Sequence, residues 1–155
     1  MKALKIIGAL LAIFLAGYLI DWIASREERA ILSPVRAAVA AIEGKDWAAL
    51  EKFLDPDFSY GSPVSWVGEG NLEGLREKLS SFWPQAEFLG IVLRESKTAA
   101  DGVNARAELV GNVKFSGNGV RFAIYKFKAM VGLRKVAGSW SILRVDLPQL
   151  EPGLF

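Results

Sequence analysis

Hydrophobic positions follow three different patterns along the chain. From Ile6 to Ile20 a run of Ile, Leu, Ala, Phe and Gly carries no charge, and with Trp22 and Ile23 it reaches about 20 residues, enough to cross ~30 Å of hydrocarbon as a helix. From Val35 the pattern becomes helical and one-sided. Val35, Val39 and Ile42 recur at three- and four-residue steps, as do Trp47, Leu50 and Leu54, giving two amphipathic helices. Gly44 is suited to close the first, Asp46 to cap the second, and Asp55-Pro56-Asp57 to end it in a turn before a strand leading to Tyr60. A third helix is predicted from about Leu72, capped by Asn71, to Phe82, with Pro84 ending it.

Beyond Pro84 the period falls to two. Ala105, Ala107, Leu109, Gly111 and Val113 alternate with Arg106, Glu108, Asn112 and Lys114, the pattern of a strand with one buried and one wet face. Tyr125, Phe127, Ala129, Val131 and Leu133 repeat it against Lys126 and Lys128. Turn signals at Ala99-Ala100-Asp101-Gly102, Ser116-Gly117-Asn118-Gly119 and Ala137-Gly138 divide the region into a four-strand meander. The expected architecture is α+β: an N-terminal transmembrane helix, then three helices packed on a curved antiparallel sheet. The small residues Ala105, Ala107, Gly111 and Ala123 leave room between sheet and helices, to be filled by Trp and Phe or left as a cavity.

The expected organisation is an anchor over residues 1–24, a helical connector over 25–32, a domain over 33–147 opening with Ser33-Pro34, and a C-terminal tail over 148–155. Lys2 and Lys5 before the span, and the balanced flank Arg26-Glu27-Glu28-Arg29 after it, orient the N-terminus to the cytoplasm and the domain to the outside. Tyr18 and Trp22 fall where interfacial aromatics belong. A cleaved secretory signal, leaving a secreted domain, is the rival reading, although no small-x-small cleavage site follows the run.

The stretch Ala40-Ala41-Ile42-Glu43-Gly44-Lys45-Asp46-Trp47, followed by Leu54-Asp55-Pro56-Asp57-Phe58-Ser59-Tyr60, resembles the opening of the nuclear transport factor 2-like superfamily, with its SnoaL-like and ketosteroid-isomerase-like members. The resemblance continues through the third helix and four long strands to Gly138-Ser139-Trp140-Ser141-Ile142. It implies a cone-shaped α+β barrel with a cavity between the concave sheet face and the helices. In isomerase-like members a tyrosine in the first helix polarises a carbonyl, and an aspartate after the second helix moves a proton. The matching positions here are Ala38 and Ser62, so both groups are missing.

Composition narrows the chemistry. The 155 residues include 19 basic and 17 acidic ones, interspersed, so no basic stripe is available for nucleic acid. With no cysteine and no histidine, only carboxylates, Tyr and Lys remain for proton transfer. Tyr60, Trp66, Trp83, Tyr125 and Trp140 are candidates for a pocket mouth, against the plainer reading that they fill the core. Arg144 and Asp146 alternate on the last strand: facing inward they form a polar pair in the cavity, facing outward they are surface charges. Asp55 and Asp57 offer too few oxygens for calcium, and Gly117-x-Gly119 is a hairpin tip without a following helix. Neither metal nor cofactor is expected.

The first reading is therefore a membrane-anchored, non-catalytic accessory or assembly module binding a protein partner, a second copy through the sheet face, or an apolar small molecule. The alternative is a SnoaL-like enzyme of isomerase, cyclase or dehydratase type acting on a hydrophobic substrate, with Tyr60, Tyr125 or Asp146 as proton carriers.

Overall fold

The computed structural model describes the backbone of residues 2–65, 67–117 and 119–152 and, within these, the side chains of all but 2–4, 6, 16–25 and 120. The chain divides into two compact units, Met1–Ala30 and Ile31–Phe155. Helix α1 (Lys2–Glu43) contributes to both. In the first unit Ile7, Leu10, Leu11, Ile13, Phe14 and Leu15 are all exposed, Phe14 to 76%. Among the described residues no helix is long and apolar enough to cross a membrane. The side chains of residues 16–25, including Tyr18 and Trp22, lie outside the described residues.

No helix restarts at Ser33-Pro34, because Pro34 lies inside α1. A proline there removes one backbone hydrogen bond. Burial of Ile31, Leu32, Val35, Ala38 and Ala41 along one side of the helix offsets the loss. Lys45 (φ 54°), not Gly44, takes the left-handed position that turns the chain into α2 (Trp47–Glu51). Asp46 caps α2 as expected, accepting from the Ala49 N–H at 3.1 Å.

Helix α2 is shorter than its apolar pattern, because Leu54 already belongs to β1 (Leu54–Gly61). Asp55-Pro56-Asp57 is thus strand rather than turn. Proline survives there because the pairing of β1 slips between Leu54 and Ser59, leaving a stretch that needs no ladder N–H. The segment expected as loop contains a short strand, β2 (Glu69–Asn71), which pairs with the end of β1 through Tyr60 and Gly70. Helix α3 (Leu72–Phe82) follows, capped by Asn71, whose side chain accepts from the Gly74 N–H at 3.0 Å.

The meander is present as β3 (Phe88–Ala100), β4 (Asn104–Gly117), β5 (Val120–Val136) and β6 (Ser139–Pro152). With β1 and β2 it forms one six-stranded sheet in the order β2-β1-β6-β5-β4-β3. The sheet is mixed rather than antiparallel, since β1 and β6 run parallel. A crossover through α3 and the whole meander joins those two strands, and a connection of that length permits parallel pairing. Residues 148–152, expected in a tail, continue β6 against β5, with Gln149 opposite Lys128.

One sheet face and the helices share the core. Phe58, Tyr60, Ala107, Leu109, Phe127, Ala129, Val131, Leu133 and Ile142 pack with Ile31, Leu32, Val35, Ala38, Ala41 and Leu50. The small residues serve close approach rather than space. A Cβ on Gly111 would lie 2.2 Å from the Val92 carbonyl oxygen and 2.8 Å from the Phe127 ring.

Candidate functional site

The expected cavity between sheet and helices is occupied by the core side chains just named. Tyr60 illustrates how tightly. Its ring lies 6.4 Å from that of Phe58, and its hydroxyl reaches Gly70, where a Cβ would sit only 2.5 Å away. Lys78 places its Nζ 5.9 Å over the Tyr60 ring. Burial, reinforced by Glu77, pushes the Tyr60 hydroxyl up, so this group keeps its proton and is no base at neutral pH. Ala38 is buried against the core. The Ser62 hydroxyl donates to the Leu147 carbonyl at 2.6 Å and accepts from the Val64 N–H at 3.1 Å, which pins the β1–β2 loop to β6.

The remaining aromatics do not gather at one mouth. Tyr125 stacks on Phe115 with centroids 5.8 Å apart. Trp140 lies under Lys135 at 5.5 Å. Tyr125 and Trp140 occupy opposite ends of the β5–β6 ladder, roughly ten residues or about 33 Å apart. Trp83 is buried just after α3, and its indole N–H has no hydrogen-bond partner among the described residues. Trp66 lies outside the described residues.

Arg144 and Asp146 do come together, on the outer face of the sheet. Arg144 Nε donates to both Asp146 oxygens at 3.0 and 3.1 Å, and Nη1 donates to Ser59 Oγ at 2.9 Å. Ser59 points away from its buried neighbours Phe58 and Tyr60, which fixes the side. The Asp146 carboxylate raises the pKa of Arg144 further above its ordinary value. With Arg106, Met130 and Gly132 this pair lines an open hollow of about 280 Å³. A second open hollow, about 320 Å³, runs between α1 and β3 along Val39, Ala40, Ile91 and Leu93, where Glu43 accepts the Ile91 N–H at 3.3 Å.

Sequence pattern alone missed the strongest polar cluster. Asp55 is 1% exposed and accepts from the Asp57 N–H at 2.9 Å, Arg134 at 2.6 and 3.1 Å, and Ser141 at 3.2 Å. Burial pushes its carboxyl up, but the Asp57 N–H, Arg134 and Ser141 together outweigh this and hold it below the ordinary value. Every oxygen is satisfied, which makes the cluster a structural tie between β1 and the β5–β6 hairpin. Among the described residues no group of acidic side chains is placed to hold a metal.

No protein-family model matches the sequence, and no curated protein matches it. Solved structures do. A nuclear transport factor 2-like superfamily protein from Salmonella enterica serovar Typhimurium superposes with a TM-score of 0.72 at 14% identity, covering 84% of this chain and 94% of that one. The fold is that of nuclear transport factor 2-like proteins. A type 2 hexachlorocyclohexane dehydrochlorinase superposes at 0.71 and 12% identity, over 87% of this chain and 93% of its own. A ketosteroid isomerase-like protein from Erwinia carotovora atroseptica reaches 0.63 at 17%, over 77% and 92%. At such identities the nuclear transport factor 2-like likeness fixes architecture, and function must be argued from side chains. On this chain's version of that fold the core side chains are packed, one open hollow lies between α1 and β3, and the other lies on the outer face of the sheet.

Proposed function

We propose that the chain is a membrane-anchored, non-catalytic module whose nuclear transport factor 2-like domain recognises a partner through its surface. One combination carries this reading: an interior filled by its own side chains, in a chain whose first helix exposes Ile7, Leu10, Leu11, Ile13, Phe14 and Leu15. Nine Ile, Leu and Phe residues between Ile6 and Ile20 each contribute roughly 0.3–0.6 kcal/mol to bilayer insertion, about 3–5 kcal/mol together. Lys2 and Lys5 favour a cytoplasmic N-terminus and an external domain. Against an enzyme stand Ala38 and Ser62 at the isomerase-like positions, a Tyr60 hydroxyl that keeps its proton, and an Asp146 bound to Arg144 on the outer face. An apolar small molecule entering the interior, beyond the open hollow between α1 and β3, would have to displace packed core side chains.

Fractionation tests the anchor. The full-length chain should remain in the membrane pellet after a high-salt wash, with the domain cut by protease added from the outside. Replacing Leu11 and Phe14 with Arg costs roughly 3 kcal/mol each at a span centre and should move the protein to the soluble fraction. A shortened, soluble wild-type product would instead establish a cleaved signal.

A further inference from the structure

Two hairpin turns of the meander lie side by side. The β3–β4 turn (101–103) and the β5–β6 turn (137–138) are joined where the Lys135 N–H donates to the Val103 carbonyl at 2.8 Å. Hairpin turns ordinarily carry glycine, asparagine, aspartate and serine. Around these two stand Ala99, Ala100, Val103, Val136 and Ala137, all exposed, with Val103 at 59% and Val136 at 52%. Backbone geometry does not ask for such residues. Ala137 stands at φ 51°, where alanine is strained and glycine or asparagine is at ease. The acid of the first turn, Asp101, is folded onto the backbone, accepting from the Val103 and Asn104 N–H groups at 3.3 and 2.9 Å. The doubled turn is therefore apolar where water calls for polar side chains. Next to it on β6 is Trp140, half-buried against the core, with Lys135 Nζ 5.5 Å over its ring.

We propose that this doubled turn rests in the headgroup layer of the bilayer that holds the anchor, with Val103 and Val136 dipped toward the acyl chains and Lys135 and Trp140 at the level of the phosphates. Tryptophan and lysine are the side chains that suit that level, since the indole has an apolar body with a polar edge and the ammonium group is drawn to phosphate. The size of the patch separates a bilayer from a protein partner. Two short turns offer far less than the roughly 1,000 Å² that a stable protein interface buries, and they present no groove for a partner to fill. A bilayer asks for no complementary shape. Beside an anchor even a weak contact is populated, because the second binding event is intramolecular. Ala30 and Ile31 are consecutive residues of one uninterrupted helix, so no flexible linker dilutes that effect. At the other end of the helix Glu43 accepts the Ile91 N–H, ten residues or roughly 33 Å of strand before Asp101, so α1 finishes away from the turns. The inference rests on the membrane-anchored reading and adds to it a second contact, made by the domain itself.

The chain has no cysteine, so an introduced one reports a single position. Ser139→Cys labels the doubled turn, and Arg121→Cys labels the exposed opposite end of β5, roughly 50 Å along the strand. Full-length chains with a fluorophore at either site are reconstituted into phosphatidylcholine–phosphatidylglycerol vesicles that include phosphatidylcholine with a nitroxide on its upper acyl chain. The label at position 139 should be quenched and the label at position 121 should not. Val103→Asp combined with Val136→Asp should lower the ratio of docked to undocked chains by about tenfold or more. Both side chains are more than half exposed, so this variant should keep the wild-type thermal midpoint and still float with the vesicles. Leucine at both positions should retain the quenching. Flotation without quenching at position 139, equal quenching at both sites, or quenching that survives the two aspartates overturns the contact and leaves the anchor standing. A chain that does not float with the vesicles overturns both.

Discussion

Arg134→Met should weaken the pH-dependent stabilisation contributed by Asp55. In the wild type the Asp55 carboxyl is held below its unfolded value, so its stabilisation is complete above about pH 4 and is lost as pH falls through the folded value. Without Arg134, burial, the largest single influence on this group, acts against only the Asp57 N–H and Ser141. The folded value then rises, and the stabilisation that Asp55 contributes above about pH 4 shrinks, flattening the loss of stability on acidification. Asp55→Ala sets the scale. It removes charge-assisted bonds to Arg134 and frees the Asp57 N–H and Ser141 hydroxyl, but Arg134, at 37% exposure, stays hydrated and keeps Asp57 at 3.3 Å. That discounts the 3–5 kcal/mol typical of a broken buried pair to about 2–3 kcal/mol. For a domain of this size the thermal midpoint should drop by roughly 8–12 °C. Urea unfolding of wild type, Arg134→Met and Asp55→Ala at half-unit steps from pH 3.5 to 7 reads both quantities. If Arg134→Met keeps the wild-type slope, Asp55 is not the buried, arginine-compensated group described.

Two further substitutions test the packing. Gly111→Ala drives a methyl into the Val92 carbonyl and the Phe127 ring, and should cost about 3 kcal/mol in urea unfolding, an overpacking effect that a flexible site would absorb. Ala137→Asn should stabilise by about 0.5–1 kcal/mol, because Ala137 (φ 51°) occupies a left-handed position of the β5–β6 turn where asparagine is at ease. Loss of stability there would place the turn in another conformation.

What could be read from the sequence was what is periodic. The alternation Ala105-Arg106-Ala107-Glu108-Leu109 announced β4, and Phe127 to Leu133 announced β5, because one wet and one buried face impose a period of two. The opening helices and the cap Asp46 were legible for the same local reason. Asp55-Pro56-Asp57 misled because its turn-forming composition is local, whereas its place in β1 depends on Arg134 and Ser141, 79 and 86 residues away. Likewise Gly111 and Gly132 look alike in the string. One is required by the Val92 carbonyl and Phe127, while the other borders the open hollow on the outer face, and only the surroundings brought together by the sheet tell them apart. Arg144 and Asp146 were expected as a pair only if they faced the cavity; the slip of register beside Leu143 turns them to the outer face, where they bond each other.

The closed interior is the claim on which the reading as a surface-acting module most depends. It can be measured by titrating the full-length protein with apolar ligands from benzene to steroid size while following its thermal midpoint. A ligand held inside at a hundred times its dissociation constant would stabilise the fold by about 2.7 kcal/mol. That corresponds to a rise of roughly 10 °C. The account predicts no saturable rise with any of them, and a saturable rise abolished by Ala38→Leu would contradict it by revealing an enclosed cavity behind Ala38, separate from the open hollow between α1 and β3.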